Sequence, residues 1–407
     1  MVLPFRLPSL SRRLIAGGAG AVFASAFMPR VLSAAGARDP RLVVIVLRGA
    51  LDGLSAVPPV GDPAYRELRQ QLAFDLDGPN KAVRLDDLFG LHGSMGTVAR
   101  LYVAREAAIV HASATPYRER SHFDGQDVLE SGYAAPGRID SGWLNRLIAA
   151  LPRGERVATQ APPRGLAVGP TAPLVIRGPA PVLGWAPATL KAADPDLPRR
   201  LTDLYAHTDP MFARLLEEGI ETGKIAAGLD MKARGSAGDP VGMEQMAAGA
   251  ARLLAQPAGP RVVALAFEGW DTHAQELGRL ARLLSGLDGA IAAFHKELGP
   301  AWKDTAVVVV TEFGRTARVN GTQGTDHGTG TVMLLAGGAI RGGRVIGDWP
   351  GLAQNRLRDG RDLAPTTDTR AVIKGIAADL FGVSAAALDR DVFPESAAAR
   401  PMKDVVA

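Results

Sequence analysis

The 407-residue chain contains no cysteine, which removes thiol nucleophiles, thiolate metal sites and disulfides together. Any metal must therefore be held by carboxylate and imidazole. Acid is missing from residues 1–37, which carry Arg6, Arg12, Arg13 and Arg30. The whole chain has 46 Lys and Arg against 42 Asp and Glu, so without those four arginines the remainder is formally neutral. The basic calculated pI is then no argument for nucleic acid or an acidic membrane surface as partner. A membrane-spanning run is also missing near the N-terminus. The apolar stretch Ala16 to Phe27 falls short of the ~20 residues a spanning helix needs, and Gly17, Gly18 and Gly20 dilute it. No internal repeat is visible.

What is present at the N-terminus has the three parts of an export signal. Arg12-Arg13 is followed by the weakly apolar stretch, then Pro29 and the small residues Ser33 to Ala37. Adjacent arginines point to the twin-arginine export machinery and a periplasmic destination, with a cleaved leader over residues 1–37 and no stable membrane span afterwards. The alternatives are a general secretory signal or a retained anchor.

The composition, 47% hydrophobic and 22% charged, is that of an ordinary globular protein. Unbroken apolar runs at Arg41 to Leu47, Ala107 to His111, Arg261 to Phe267, Ala306 to Val310 and Thr331 to Leu335 read as strands buried on both faces. Helical patterns lie between them at 96–105, from Ser121 to Glu130, from Ala274 to Leu298 and from Thr369 to Phe381. Ser121 is placed to cap its helix and Gly132 to end it. Alternating strands and helices argue an α/β fold, a mainly parallel sheet sandwiched by helices, over residues 38–407. The pattern weakens from 151 to 260, where Pro173 to Ile176 reads as a short strand and helices are expected near Leu201 to Gly219 and Met243 to Ala255. That region reads as an inserted cap.

Polar groups cluster after the strands. Asp52 follows the first, Ser121 and His122 the second, Asp271 and His273 the third, and Glu312 the fourth, while Asp326 and His327 lead into the fifth. Parallel strands end at one edge of a sheet, so these groups can converge where open α/β sheets hold ligands. Asp52, Asp271, His273, Glu312, Asp326 and His327 are enough for one or two divalent ions, and two would lie ~3.5 to 4 Å apart. Oxygen and nitrogen donors suit zinc, manganese or magnesium, and calcium less well. Each residue also has a structural use: Asp52 before Gly53 can set a turn, His273 can help Asp271 cap a helix, and Glu312 can pair with Arg315.

Five segments carry a resemblance: Asp52-Gly53, Ser121-His122-Phe123-Asp124, Gly269-Trp270-Asp271-Thr272-His273, Thr311 to Thr316 as Thr-Glu-Phe-Gly-Arg-Thr, and Asp326-His327-Gly328-Thr329-Gly330. In this order they resemble the exported bacterial family catalogued as domain of unknown function 1501. That family is in turn similar to the alkaline phosphatase and sulfatase superfamily. The resemblance implies an alkaline-phosphatase-like fold, metal-dependent hydrolysis of a small anionic phosphate or sulfate ester, and Ser121 or His122 at the nucleophile position. It further implies Asp52, Asp271, His273, Glu312 and His327 as metal ligands, with Asp326 in reserve. Arg315 is expected to orient the substrate's oxygens. Phe313 stands where phosphatases carry His and sulfatases carry Asn, and no cysteine exists to become a formylglycine. The rival readings are a non-catalytic exported binding or assembly protein that keeps the fold, and a phosphomutase-like enzyme.

Overall fold

The computed structural model describes residues 38–77, 80–138, 140–152, 164–187, 201–202, 204–205 and 236–407. The expected leader at 1–37 and most of the helix expected between Leu201 and Gly219 lie outside them.

All seven residues of β1 (Arg41–Leu47) are buried. Because side chains alternate along a strand, Val43, Ile45 and Leu47 enter one core while Leu42, Val44 and Val46 enter another. Each buried Val, Ile or Leu contributes about 1.5–3 kcal/mol. An uninterrupted apolar run is stable only with both faces covered, and here both are.

A small antiparallel pair, β2 (Ala82–Arg84) and β3 (Gly90–His92), stands apart. The main sheet holds β1, β4 (Ala107–Ala114), β5 (Gly165–Val168), β6 (Val182–Trp185), β7 (Val262–Phe267), β8 (Thr305–Thr311), β9 (Thr331–Ala336), β10 (Arg344–Ile346) and β11 (Thr367–Asp368). Its order is β10-β4-β9-β8-β1-β7-β5-β6, with β11 also on β4. Every pairing is parallel except those of β9, which runs against both β8 and β4. This reversal matters for the site, since it brings the start of β9 to the edge where β1, β4, β7 and β8 end.

Two short helices follow β1 and lead away from it, α1 (Gly53–Ala56) and α2 (Tyr65–Arg69). One face of the sheet is covered by α3 (Gly96–Val103), α6 (Pro240–Ala255) and α7 (Glu276–Leu298). The other is covered by α4 (His122–Ser131), α5 (Trp143–Ala150), α8 (Thr369–Phe381) and the C-terminal Val405. No helix among the described residues is long and apolar enough to cross a membrane.

Two expectations change. Leu174–Ile176 is a 3-10 turn and not a strand. The described parts of 151–260 are also no separate cap: β5 and β6 extend the sheet, and α6 packs along α7 on its face. Their short, Gly- and Pro-punctuated sequences carry too little periodicity to announce that role.

Candidate metal centre

The convergence at the sheet edge has a local cause at each residue. After β4 the chain turns through Arg120, which holds a positive φ of 63°, and enters α4, so that His122 is that helix's first residue. Ser121 is the N-cap residue, but its hydroxyl makes no capping bond, contrary to expectation; Gly132 ends the helix in the left-handed conformation. Asp271 and His273 lie in the loop between β7 and α7. The 324–330 loop is pinned and not free, because its backbone lies directly on its neighbours. A Cβ on Gly324 would stand 2.3 Å from the His273 carbonyl, and one on Gly328 would stand 2.4 Å from that of Arg315. The bonds from Thr316 N to Asp326 O and from Gly328 N to Gly314 O complete the clamp.

Three imidazoles and one carboxylate meet there. His327 Nε2 is 2.9 Å from His122 Nε2 and 3.0 Å from His273 Nε2. Asp271 Oδ1 lies 3.5, 3.0 and 3.4 Å from the Nε2 atoms of His122, His273 and His327 respectively. The other ring nitrogens have oxygen partners of their own. His122 Nδ1 faces Glu312 Oε1 at 2.9 Å, His273 Nδ1 faces Asp326 Oδ1 at 3.2 Å, and His327 Nδ1 faces the Arg120 carbonyl at 2.9 Å. All three oxygens accept, so hydrogens on the Nδ1 atoms would satisfy them and leave Nε2 lone pairs for a ligand, while Asp271 Oδ1, also an acceptor, lies 3.0 Å from His273 Nε2. Lone pairs this close require a proton or a cation between them. Nδ1 held by a carboxylate or carbonyl, with Nε2 presented, is the arrangement of a metal-ligating histidine.

A tetrahedral ion with bonds of about 2.0–2.1 Å keeps its ligand atoms about 3.3 Å apart, close to these separations. The donor atoms of His122, Asp271 and His327 all lie within 4.8 Å of one another, and His273 joins this group through Asp271 and His327. The rings are partly exposed, with side-chain accessibilities of 23%, 44% and 26% for His122, His273 and His327. The group could bind a metal and leave a face open to a ligand.

Without an ion, a proton takes its place. The bond to Glu312, helped by that carboxylate's charge, raises the His122 pKa against the cost of burial. Burial and the neighbouring His122 charge lower that of His327. Of the two rings, His122 therefore holds a proton more strongly than His327. Asp271 stays ionised below the usual carboxylate range, because the bond and charge of Arg315 outweigh its burial.

Several expected site residues are occupied otherwise. Asp52 does not face the cluster: it caps α1 and its carboxylate is bound by Ser55 and the fully buried Arg69. Glu312 and Asp326 present oxygens to Nδ1 atoms and orient rings. Arg315 is fully buried and committed to Asp271, Gly49 and Thr325, so it braces Asp271 and cannot grip a substrate. The alternative use of Glu312, a pair with Arg315, does not form, since Arg315 pairs with Asp271. Arg120 is held by Asp359 and Asp362. Phe313 is buried and stacks on His122 at 5.0 Å between ring centroids, with His327 at 5.3 Å. Its apolar ring walls the cluster where the resemblance led one to look for a ligand.

The profile of the family described as "Protein of unknown function (DUF1501)" matches residues 39–392. The chain belongs to that family. Among curated proteins no sequence matches. Similar solved structures include a 2-O GAG sulfatase, at 10% identity and a TM-score of 0.38, covering 85% of this chain and 71% of that one. Another is the phosphonate monoester hydrolase of Agrobacterium radiobacter, at 13% and 0.31, covering 84% and 74%. A third is the C-terminal periplasmic domain of EcEptC from Escherichia coli in complex with zinc, at 10% and 0.32, covering 73% of each. Similarity at this level says nothing about this family member's activity.

Some working parts of the site had no signal in the sequence. Gln126, one turn into α4, donates to Glu312 Oε1 at 3.1 Å. The Arg120 carbonyl reaches His327 only because of that residue's left-handed backbone. Arg69 and Glu276, which occupy Asp52, sit in ordinary helical sequence.

Proposed function

We propose that this protein is an exported hydrolase of phosphate or sulfate esters that uses one divalent ion held by His122, His327 and Asp271, with His273 beside them. The observation carrying this reading is the meeting of His122, Asp271 and His327 at the sheet edge, their donor atoms within 4.8 Å of one another and their side chains partly open to solvent. Nitrogen-rich donors favour zinc over magnesium and calcium, with manganese next. An ion there supplies Lewis-acid charge for an ester oxygen.

The chain's own groups do the rest. Glu312, Asp326 and the Arg120 carbonyl fix the three rings, and Arg315 fixes Asp271. The N-terminus of the ten-residue α4 offers its positive dipole end to an anion. Ser121, the residue before His122, is the nucleophile in this reading, its hydroxyl free of a capping role. Phe313 closes the wall behind His122 and keeps water from that side. Residues 1–37 serve as a twin-arginine leader.

The test is turnover of aryl phosphate and aryl sulfate esters by the exported protein, with metal content measured alongside. Activity that needs the ion and is lost in Ser121→Ala and His327→Ala is the expected result. Protein that takes up no zinc, manganese or magnesium and turns over neither ester would overturn the reading. Bound metal with no turnover would leave a non-catalytic metal-binding protein, favoured by Arg315 being unable to reach a substrate.

A further inference from the structure

We infer that Arg69 is a built-in cation that closes the Asp52 pocket to metal, so that this chain holds one divalent ion at its histidine cluster and none at Asp52. The inference rests on the proposed metal centre for the first ion and adds a statement about the second. Two-ion chemistry would need Asp52 as a ligand, and the residues around it do not fit that use.

The Asp52 pocket has a donor set that a hard cation would accept: two carboxylates and a hydroxyl, all buried. Asp52, Arg69 and Glu276 have no exposed surface, and Ser55 is 3% exposed. Asp52 Oδ1 accepts from Leu54 N at 3.0 Å and Ser55 N at 3.4 Å, and its Oδ2 from Ser55 Oγ at 3.0 Å and from Arg69 Nη2. Arg69 Nη2 also lies 2.5 Å from Ser55 Oγ and 3.4 Å from Glu276 Oε1, and its Nη1 donates to Thr316 O at 3.3 Å. The guanidinium thus sits among the oxygens that an ion would need. It brings one positive charge to two carboxylates, and the imbalance is absorbed by a proton. Burial and the charge of Asp52 push the Glu276 carboxyl up, so that it stays protonated at neutral pH, whereas Arg69 holds Asp52 ionised in spite of burial.

The pocket is tied to the cluster by a string of hydrogen bonds. Thr325 Oγ1 donates to Glu276 Oε2 at 2.5 Å and accepts from Arg315 Nε at 2.9 Å; Arg315 Nη1 donates to Asp271 Oδ1 at 2.8 Å. Two fixed guanidinium groups therefore back the histidines. A second divalent ion on this side would face both charges with no carboxylate left to meet it.

The experiment counts ions on the whole exported protein by elemental analysis and native mass spectrometry after zinc loading, then titrates manganese into the zinc-loaded protein under electron paramagnetic resonance. Wild type should hold one zinc, lose it in His273→Ala/His327→Ala, and take up no manganese. Arg69→Met leaves the oxygen set without its cation and should take up one equivalent of manganese, while Arg69→Lys should take up none. If Arg69→Met does not fold, the volume-matched, uncharged Asp52→Asn/Arg69→Met should still hold one zinc. Two ions in wild type, one of them lost in that double variant, would overturn the inference and leave the metal centre standing. No ion in wild type would overturn both.

Discussion

Replacing Glu312 by glutamine separates charge from shape at the histidine cluster. Glu312 Oε1 accepts from Gly49 N at 2.8 Å, His122 Nδ1 at 2.9 Å and Gln126 Nε2 at 3.1 Å, and Oε2 accepts from Thr311 Oγ1 at 2.8 Å. A glutamine with its carbonyl oxygen at the Oε1 position keeps the first three bonds. Its amide then sits at the Oε2 position and donates to Thr311 Oγ1, whose own hydrogen goes to the Leu47 carbonyl 2.7 Å away. Every partner of the carboxylate keeps a hydrogen bond, and only the amide's second hydrogen has no acceptor among these groups, so the fold should be retained. Only the negative charge behind His122 is lost. Charge-assisted hydrogen bonds are about twice as strong as neutral ones, and removing such a partner from a ligating histidine weakens metal binding about 10–100-fold, or about 1.4–2.7 kcal/mol. Zinc affinity is measured by competition with a chromophoric chelator, wild type and variant at the same pH. A zinc Kd within threefold of wild type would refute the carboxylate–imidazole–metal arrangement, as would a variant that loses its fold.

Three further outcomes follow from the same structure. His111 Nδ1 accepts from Ala112 N at 2.9 Å and its Nε2 donates to Val57 O at 3.0 Å, so a second proton has no place, and burial pushes its pKa down to about 4. Folding stability should be full above the unfolded histidine's pKa of about 6.5 and fall as pH drops from there towards 4, losing about 3 kcal/mol from this residue. His92, also pushed down to about 4 by burial, acts in the same direction, while the raised carboxyl of Glu276 acts in the opposite one, so the check is a difference: between pH 7.5 and 4.5 His111→Asn should lose about 2–3 kcal/mol less stability than wild type in urea titrations. An equal loss in the two would contradict this account. Phe313→Ala should cost about 3–5 kcal/mol in urea unfolding, because it opens a cavity beneath His122 and His327; a cost under 1 kcal/mol would mean the ring is not the packed wall described. Chelating an ion present at about 1,000 times its Kd should lower stability by about 4 kcal/mol. An identical urea midpoint with and without chelator would show that no ion is bound.

The layout of the main sheet was largely readable from residue patterns, because strands buried on both faces must be apolar throughout. Arg41 to Leu47 and the run ending at Val310 could be little else. The long helix expected from Ala274 to Leu298 is observed as Glu276–Leu298, and the closing helix as Thr369–Phe381. Reading failed where elements are short. Leu174–Ile176 is apolar and only a turn, while β5 and β6 join the sheet with four residues each. Four residues hold too few alternations to distinguish a sheet strand from a loop that buries its side chains.

The amino-acid sequence by itself determined the chemistry on offer. Without cysteine the donors had to be imidazole and carboxylate, and apolar strands followed by Asp, His and Glu had to deliver those groups to an edge of the sheet. Tertiary structure alone decided which became candidate ligands and which became supports. Spacing along a chain does not say which atom of a side chain faces a common point. Only the reversed direction of β9 brings His327 beside His122 and His273, and only the reach of Arg69 from a helix seventeen positions beyond Asp52 takes that carboxylate away from the cluster. Glu312 and Asp326 became orienting groups for the same reason: their oxygens meet Nδ1 hydrogens, which leaves the Nε2 lone pairs to face one another.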